Sequence, residues 1–243
     1  MRGSVVYISN NKRYVDKAIR SCRSLKQHNE EIHAWLITTD TDNIADNVFD
    51  DTMIVKQSHT GHGPKLDGFM YKVQCMKHMF KFNDRCIFLD SDTYVVNDIT
   101  DVFDNLDYYD FACMTAPADQ ERPVVNNKQY NSIIPYNTGV LAAKKTKASI
   151  GVLNAWSERY LEKWKKGSGG TDQPCFNEAL MLSSARVCEL ANKYNARLNF
   201  MMSIQGEVDI IHCHATIDQG PELAEKVNIR SGYRVWVPGK GII

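Results

Sequence analysis

Asp90 and Asp92 stand one residue apart at the end of an apolar run, in RCIFLDSDTYVV (residues 85–96). Aspartate is disfavoured in strands and in dry interiors unless something compensates its charge, and a cation is the simplest compensation. In an extended backbone, residues two apart project to the same side, so both carboxylates are expected to reach one ion. His212, late in the apolar stretch DIIHCH (residues 209–214), is the expected third donor. Carboxylate oxygens suit Mg2+ or Mn2+, and one added imidazole shifts the preference toward Mn2+. Such a trio leaves coordination positions open, as a metal that also holds a diphosphate requires.

Each signal alone is weak. A lone Asp-x-Asp more often marks a turn or a solvated strand end, and a lone histidine is more often a satisfied core side chain than a ligand. Their combination carries the reading. Zinc is set aside for His212-Cys213-His214: alternation points Cys213 away from its neighbours, and no second Cys/His pair lies at zinc spacing. His59 and His62, set among Gly61 and Gly63, read as a loop able to close over a substrate.

The elements that must position these groups alternate along the chain. SVVYIS (4–9), HAWLITT (from 33), DTMIVK (from 51), RCIFLD (from 85), FACMTA (111–116), TGVLAA (138–143) and DIIHCH read as strands. Helical spacing appears over residues 13–28, 68–82 and 150–164. This rhythm predicts an α/β sandwich around a mostly parallel central sheet, in one domain. Ligands of such sheets collect outside the carboxyl ends of the strands. Ser9-Asn10-Asn11 and Asp90-Ser91-Asp92 both follow strands in this way. Residues 58–68, 117–135 and 165–171 read as loops, the second long enough to choose an acceptor.

Composition excludes little but favours one setting. Lys plus Arg equals Asp plus Glu at 29 each, so no overall field indicates a nucleic acid or an anionic membrane as partner. The first residues lack the apolar core of a signal peptide, and no uncharged apolar run is long enough to span a bilayer. Seven scattered cysteines without a CxxC pair read as reduced core thiols, and a cytoplasmic location is expected.

IFLDSDTYVV, YNTGVLAAKK, GGTDQPCFNEAL and IIHCHA occur in an order and spacing that resembles the glycogenin-like glycosyltransferases, family eight of the GT-A fold, from about residue 5 to about residue 215. The resemblance implies a Rossmann-like GT-A sandwich with a donor-binding part over about residues 1–116. An acceptor and metal-completing part is expected over about residues 117–243. It implies transfer of a sugar from a nucleotide sugar, a UDP-sugar above all, to a hydroxyl of a glycan, protein or small molecule, with Mn2+ or Mg2+ and with retention.

Position by position, the resemblance implies that Ile8, Asn10, Asn11 and Tyr14 surround the nucleoside and that Lys72 approaches the donor. Asp90 and Ser91 then lie on the donor, and Asp90, Asp92 and His212 are the metal ligands. Asn137 and Gly139 would line the donor sugar, while Asp172 and Gln173 would sit at its reacting face. A carboxylate and an amide there can stabilise positive charge at the anomeric carbon. The pair also reads as a helix start, with Thr171 or Asp172 as N-cap and Pro174 just inside.

The chain departs from the family in three places. No basic residue follows His212 before Lys226, where the family has a diphosphate-binding lysine, so either another residue, such as Lys65 or Lys240, completes that site or donor binding is altered. Thr138 replaces a small alanine, and Thr171 is an extra residue before Asp172. These departures leave open an inverting GT-A enzyme with a base such as Asp119. A phosphatase of the haloacid dehalogenase type would need its Asp-x-Asp near the N-terminus and a later acidic pair. A sugar nucleotidyltransferase would need a Gly-rich turn after the first strand, and SNNKRY lacks it. A sugar-binding module without catalysis is disfavoured by the intact metal trio.

Overall fold

The computed structural model describes residues 3–39, 47–55, 64–116, 122–167, 170–214 and 216–243. Its first part runs β1 (Ser4–Ser9), α1 (Lys12–His28), β2 (His33–Thr38), β3 (Asp51–Ile54), α2 (Pro64–Met79), β4 (Arg85–Leu89) and β5 (Thr93–Val95). There follow α3 (Asp101–Asn105), β6 (Phe111–Thr115), the short pair β7 (Val124–Val125) and β8 (Lys128–Gln129), β9 (Tyr136–Lys144), α4 (Lys147–Lys165) and α5 (Gln173–Met181). The chain closes with β10 (Val187–Glu189), β11 (Met202–Ile204), β12 (Ile210–His212), α6 (Gly220–Val227), β13 (Arg234–Val237) and β14 (Gly241–Ile242).

Seven strands form the central sheet in the order β10-β6-β9-β4-β1-β2-β3. β9 runs antiparallel to both its neighbours, and the other pairings are parallel. Strand alternation divides the core. Val5, Tyr7, Ile87, Leu89, Val140 and Ala142 pack with α1 and α3 on one face. Val6, Phe88, Leu141 and Ala143 pack with α2, α4 and α5 on the other. Both faces are covered, which is why these strands read as continuous apolar runs rather than as half-polar ones. The result is a single α/β/α sandwich with a mostly parallel sheet, as the alternating segments predict.

Local chemistry sets the helix starts nearest the site. Asn11, in extended conformation, caps α1 by accepting from the N–H of Tyr14. Thr146 and Ser149 form a reciprocal capping box at α4. The stretch expected as a loop over residues 117–135 carries the β7–β8 hairpin, turned by Asn126 and Asn127 at φ of 52° and 60°. Asparagine tolerates that left-handed region, and a two-residue turn with both central residues at positive φ is the kind that matches strand twist in hairpins. A third cluster, including Leu198, Ile211, Val227 and Trp236, packs β12 and α6 under the β11-β13-β14 sheet. Among the described residues no helix is long and apolar enough to cross a membrane.

Candidate active site

β1 and β4 are parallel neighbours, so their carboxyl ends open on the same edge of the sheet, and β9 begins there. β4 stops after Leu89, where the N–H of Asp90 donates to the carbonyl of Gly139 at 2.8 Å. The chain then turns instead of staying extended. Thr93 donates both its N–H, at 3.0 Å, and its hydroxyl, at 2.9 Å, to the carbonyl of Asp90. Asp90 and Asp92 are thus brought together by a turn, not by the strand alternation expected from the sequence. Thr93 is placed for this by β5, whose antiparallel register with β12 sets His212 opposite Thr93. The N–H of Cys213 also donates to the carbonyl of Asp92, at 2.8 Å. This pairing carries His212 to the acidic turn across more than a hundred residues of sequence.

The Nε2 of His212 lies 3.3 Å from Asp92 Oδ1 and 3.7 Å from Asp90 Oδ2. Gly139 makes room for this meeting. A Cβ there would lie 2.3 Å from His212 Cε1 and 2.7 Å from Asp90 Oδ2, so the space its missing side chain leaves is filled by the protein's own groups.

His214 is the residue that the sequence reading passed over. Strand β12 ends at His212, and His214 takes a left-handed backbone at φ 53°. That turn, which strand alternation does not allow for, stacks the His214 ring on His212 with centroids 4.4 Å apart and planes 9° from parallel. Asp92, His212 and His214 each offer a ligand atom, and these atoms lie within 4.8 Å of one another. Nε2 of His214 is buried without a hydrogen-bond partner among the described residues. Burial, together with the neighbouring His212, pushes the His214 imidazole down to about 4. It is therefore a neutral ring with a lone pair to give at pH 7. Burial would raise the Asp92 carboxyl, but the His212 ring and the Lys17 ammonium hold it below its ordinary value.

Below the acidic turn lies a buried cation. Lys72, on α2, reaches Asp90 Oδ1 at 3.3 Å, Asp172 Oδ2 at 3.8 Å, and both the carbonyl and the hydroxyl of Thr138 at 3.3 Å. Burial alone would lower its ammonium, yet Asp172 and Asp90 hold it above its ordinary value. The Thr138 hydroxyl that departs from the family pattern is thus an acceptor for this lysine. Asp172 stands at the N-cap position of α5 with helical backbone angles, and its carboxylate makes no capping bond. The helix start is held instead by Trp156, whose indole N–H donates to the Asp172 carbonyl at 3.0 Å. Gln173 Oε1 accepts from Asn137 Nδ2 at 2.8 Å, and Asn137 Oδ1 accepts from the N–H of Gly139 at 2.9 Å. Asn195, buried and not anticipated from the sequence, joins Asn137 to His212 at 2.9 and 3.1 Å.

The structure therefore connects Asp90, Asp92, His212, Lys72, Asn137, Gly139, Asp172 and Gln173. Ile8, Asn10, Asn11 and Tyr14 stand at the end of β1 and the first turn of α1, and Asn11 is occupied as a cap. Tyr14 is 44% exposed, with the Lys17 ammonium 5.8 Å over its ring. Lys17 links the two groups, since its Nζ also donates to the His214 carbonyl at 3.1 Å. Ser91 is buried within the acidic turn. Lys240 is exposed in the turn between β13 and β14. The Lys65 side chain, Asp119, His59 and His62 lie outside the described residues.

The comparisons with known proteins bear on the fold and the family. Among solved structures, the galactosyltransferase LgtC in complex with donor and acceptor sugar analogues superposes with a TM-score of 0.61 at 13% identity, over 92% of this chain and 96% of that one. Mouse xyloside xylosyltransferase 1, in its apo form, gives a TM-score of 0.61 at 12% identity over 88% and 98%. The glycosyltransferase GlyE of Streptococcus pneumoniae TIGR4 gives 0.56 at 19% identity, over 81% of this chain and 48% of that one. These likenesses establish the GT-A type of sandwich. No curated protein sequence matches the chain. The family model for nucleotide-diphospho-sugar transferases matches residues 26–211, and the chain belongs to that family.

Proposed function

We propose that the protein is a metal-dependent glycosyltransferase of the retaining, glycogenin-like kind. It moves a sugar from a nucleoside diphosphate donor, a UDP-sugar, to an acceptor hydroxyl. The observation that carries this reading is the convergence of Asp92, His212 and His214 beyond the carboxyl end of β4, with Asp90 between His212, at 3.7 Å, and the buried Lys72 of the Lys72–Asp172 pair, at 3.3 Å.

The residues fit a divalent cation. An imidazole nitrogen buried without a partner among the described residues, a second imidazole facing two carboxylates, and an aspartate carboxyl held below its ordinary value beside them form a mixed nitrogen and oxygen donor set. Mg2+ prefers oxygen ligands and water, whereas Mn2+ accepts imidazole readily, so two histidines favour Mn2+. Asp90, Asp92, His212 and His214 would hold the ion, which when bound supplies a Lewis acid that neutralises the departing diphosphate without a proton.

Lys17 takes the part of the lysine missing after His212: it already sits against His214 and the Tyr14 ring, between the metal cluster and the nucleoside end. Tyr14 offers a ring face for the base, with Ile8, Asn10, Asn11 and Ser91 beside it. Asp172 and Gln173 lie under the donor sugar. The carboxylate, 3.8 Å from the Lys72 ammonium, stabilises positive charge developing at the anomeric carbon. Asn137 orients the Gln173 amide toward the same carbon. The acceptor hydroxyl attacks from the face that the diphosphate leaves, and the leaving phosphate takes its proton. Residues 1–116 supply the donor side, and residues 117–243 complete the metal site and meet the acceptor. Seven free cysteines, six of them buried, support a reducing, cytoplasmic setting.

The test is nucleotide release from a panel of UDP-, GDP- and CMP-sugars, with and without Mn2+. UDP released from one donor, only with Mn2+, is the expected result. Neither release nor thermal stabilisation by any nucleotide would sink the reading.

A further inference from the structure

Behind His212 a chain of buried amides begins at a group whose role is unambiguous. The N–H of Gly139 can only donate, so the Asn137 atom 2.9 Å from it is Oδ1. The Asn137 Nδ2 then faces Gln173 Oε1 at 2.8 Å. The other neighbour of Asn137 Oδ1, 2.9 Å away, must also donate, and it is Nδ2 of Asn195. This turns Asn195 Oδ1 onto Nδ1 of His212 at 3.1 Å. An amide oxygen only accepts, so the ring proton belongs on Nδ1.

We propose that Asn195 is a positioning residue for the metal site. It holds His212 as the Nδ1–H tautomer, so that the Nε2 lone pair faces Asp90 and Asp92. The assignment rests on the metal reading above. Left to itself, an imidazole beside two carboxylates gains by pointing an N–H at them, which would block Nε2 as a ligand. Here that alternative sets the Nδ1 lone pair against the Asn195 oxygen. Flipping Asn195 to relieve it would set two amide oxygens 2.9 Å apart, and flipping Asn137 in turn would aim an NH2 group at the Gly139 N–H. The relay transmits the polarity of one backbone donor to the ligand ring.

The backbone makes the arrangement stiff. Asn195 is fully buried, and Ala196 bridges β12 on both sides: its N–H donates to Ile210 at 2.8 Å and its carbonyl accepts from the His212 N–H at 2.9 Å. Partners of this kind fix the ring and tautomer of metal-binding histidines, and their loss commonly weakens metal affinity about 10- to 100-fold.

The test compares two nearly isosteric variants of the full chain, Asn195→Leu and Asn195→Asp, with the wild type. Long-range proton–nitrogen spectra of histidine-labelled, metal-free protein at about pH 9, alkaline of an ordinary imidazole, report the tautomer, and Mn2+ titration followed by electron paramagnetic resonance reports affinity. The wild type is expected to carry its His212 proton on Nδ1. Asn195→Asp, which keeps an acceptor against Nδ1 and leaves only the Asn137 end of the relay opposed by its second oxygen, retains that tautomer. Asn195→Leu loses it and binds Mn2+ about 10- to 100-fold more weakly. An Nε2–H tautomer in the wild type overturns the assignment whether or not the variants fold, and so does identical behaviour of the Leu and Asp variants. A wild type that binds no Mn2+ would instead defeat the metal reading, while its ring spectrum still decides the role of Asn195.

Discussion

Lys72 and Gly139 show how little freedom single residues have here. Lys72 is 3% exposed, and its ammonium compensates Asp90 and Asp172 together. Lys72→Met removes the cation and leaves buried carboxylate charge behind, a change that costs about 3–5 kcal/mol in comparable buried pairs. Denaturant titration should show that loss, and nucleotide release should fall with it; a variant as stable as the wild type would mean that Asp172 has another compensating group. Gly139→Ala places a methyl group where His212 and Asp90 already meet. Overpacking of this kind costs about 1–3 kcal/mol, and because the atoms displaced are those of the metal cluster, Mn2+ affinity should fall as well. An alanine variant with wild-type melting and Mn2+ titration would show that the ring has room to move. The Asp-x-Asp and the Asn-x-Gly are readable as motifs, but the job of this glycine is not, since its partner His212 is distant in sequence.

At the scale of elements, the strands were legible because both sheet faces are covered, which concentrates apolar residues into short runs. Runs such as SVVYIS and RCIFL need no alternation to be recognised. The short strands β5 and β7–β8 were harder to read, because at two or three residues pairing partners decide them rather than pattern, whereas β12 was legible within DIIHCH but stops at His212. One element junction allows a pH test. Asp50, at the entry to β3, accepts from Lys26 of α1 at 2.6 Å and from the N–H of Ala34 on β2 at 2.7 Å. Burial would raise its carboxyl, but Lys26 and the Ala34 N–H outweigh that and hold it below its ordinary value. A carboxyl lowered on folding stabilises above the ordinary carboxylate range, and that contribution is lost as pH falls through its lowered value. The melting temperature of Asp50→Asn should therefore lie below the wild type at neutral pH by an amount that vanishes in acid. A difference unchanged between pH of about 7 and about 2 would remove Asp50 as a charged link.

At the scale of the molecule, the proposed metal and nucleotide sites draw on β1, α1, β4, β9, α5 and β12, so occupancy should stabilise the whole fold. Ligand at about one hundred times its dissociation constant adds about 2.7 kcal/mol. For a chain of this size that corresponds to a rise of roughly 5–10 °C in melting temperature. UDP with Mn2+ should give that rise, and Asp92→Asn should abolish it while leaving the ligand-free melting temperature near that of the wild type. Equal stabilisation of both proteins would take Asp92 out of the metal site. By itself the sequence determined the α/β alternation, the acidic pair at a strand end and the helix start at Asp172, because each is encoded in a few adjacent residues. Tertiary structure alone decided that Asp90 and Asp92 meet through a turn, that His214 stacks on His212, and that Lys72 lies between Asp90 and Asp172. It alone decided, too, that Asn195 stands behind the histidine. These arrangements depend on strand pairing between distant segments, and local sequence carries no record of which distant donor will fill a given space.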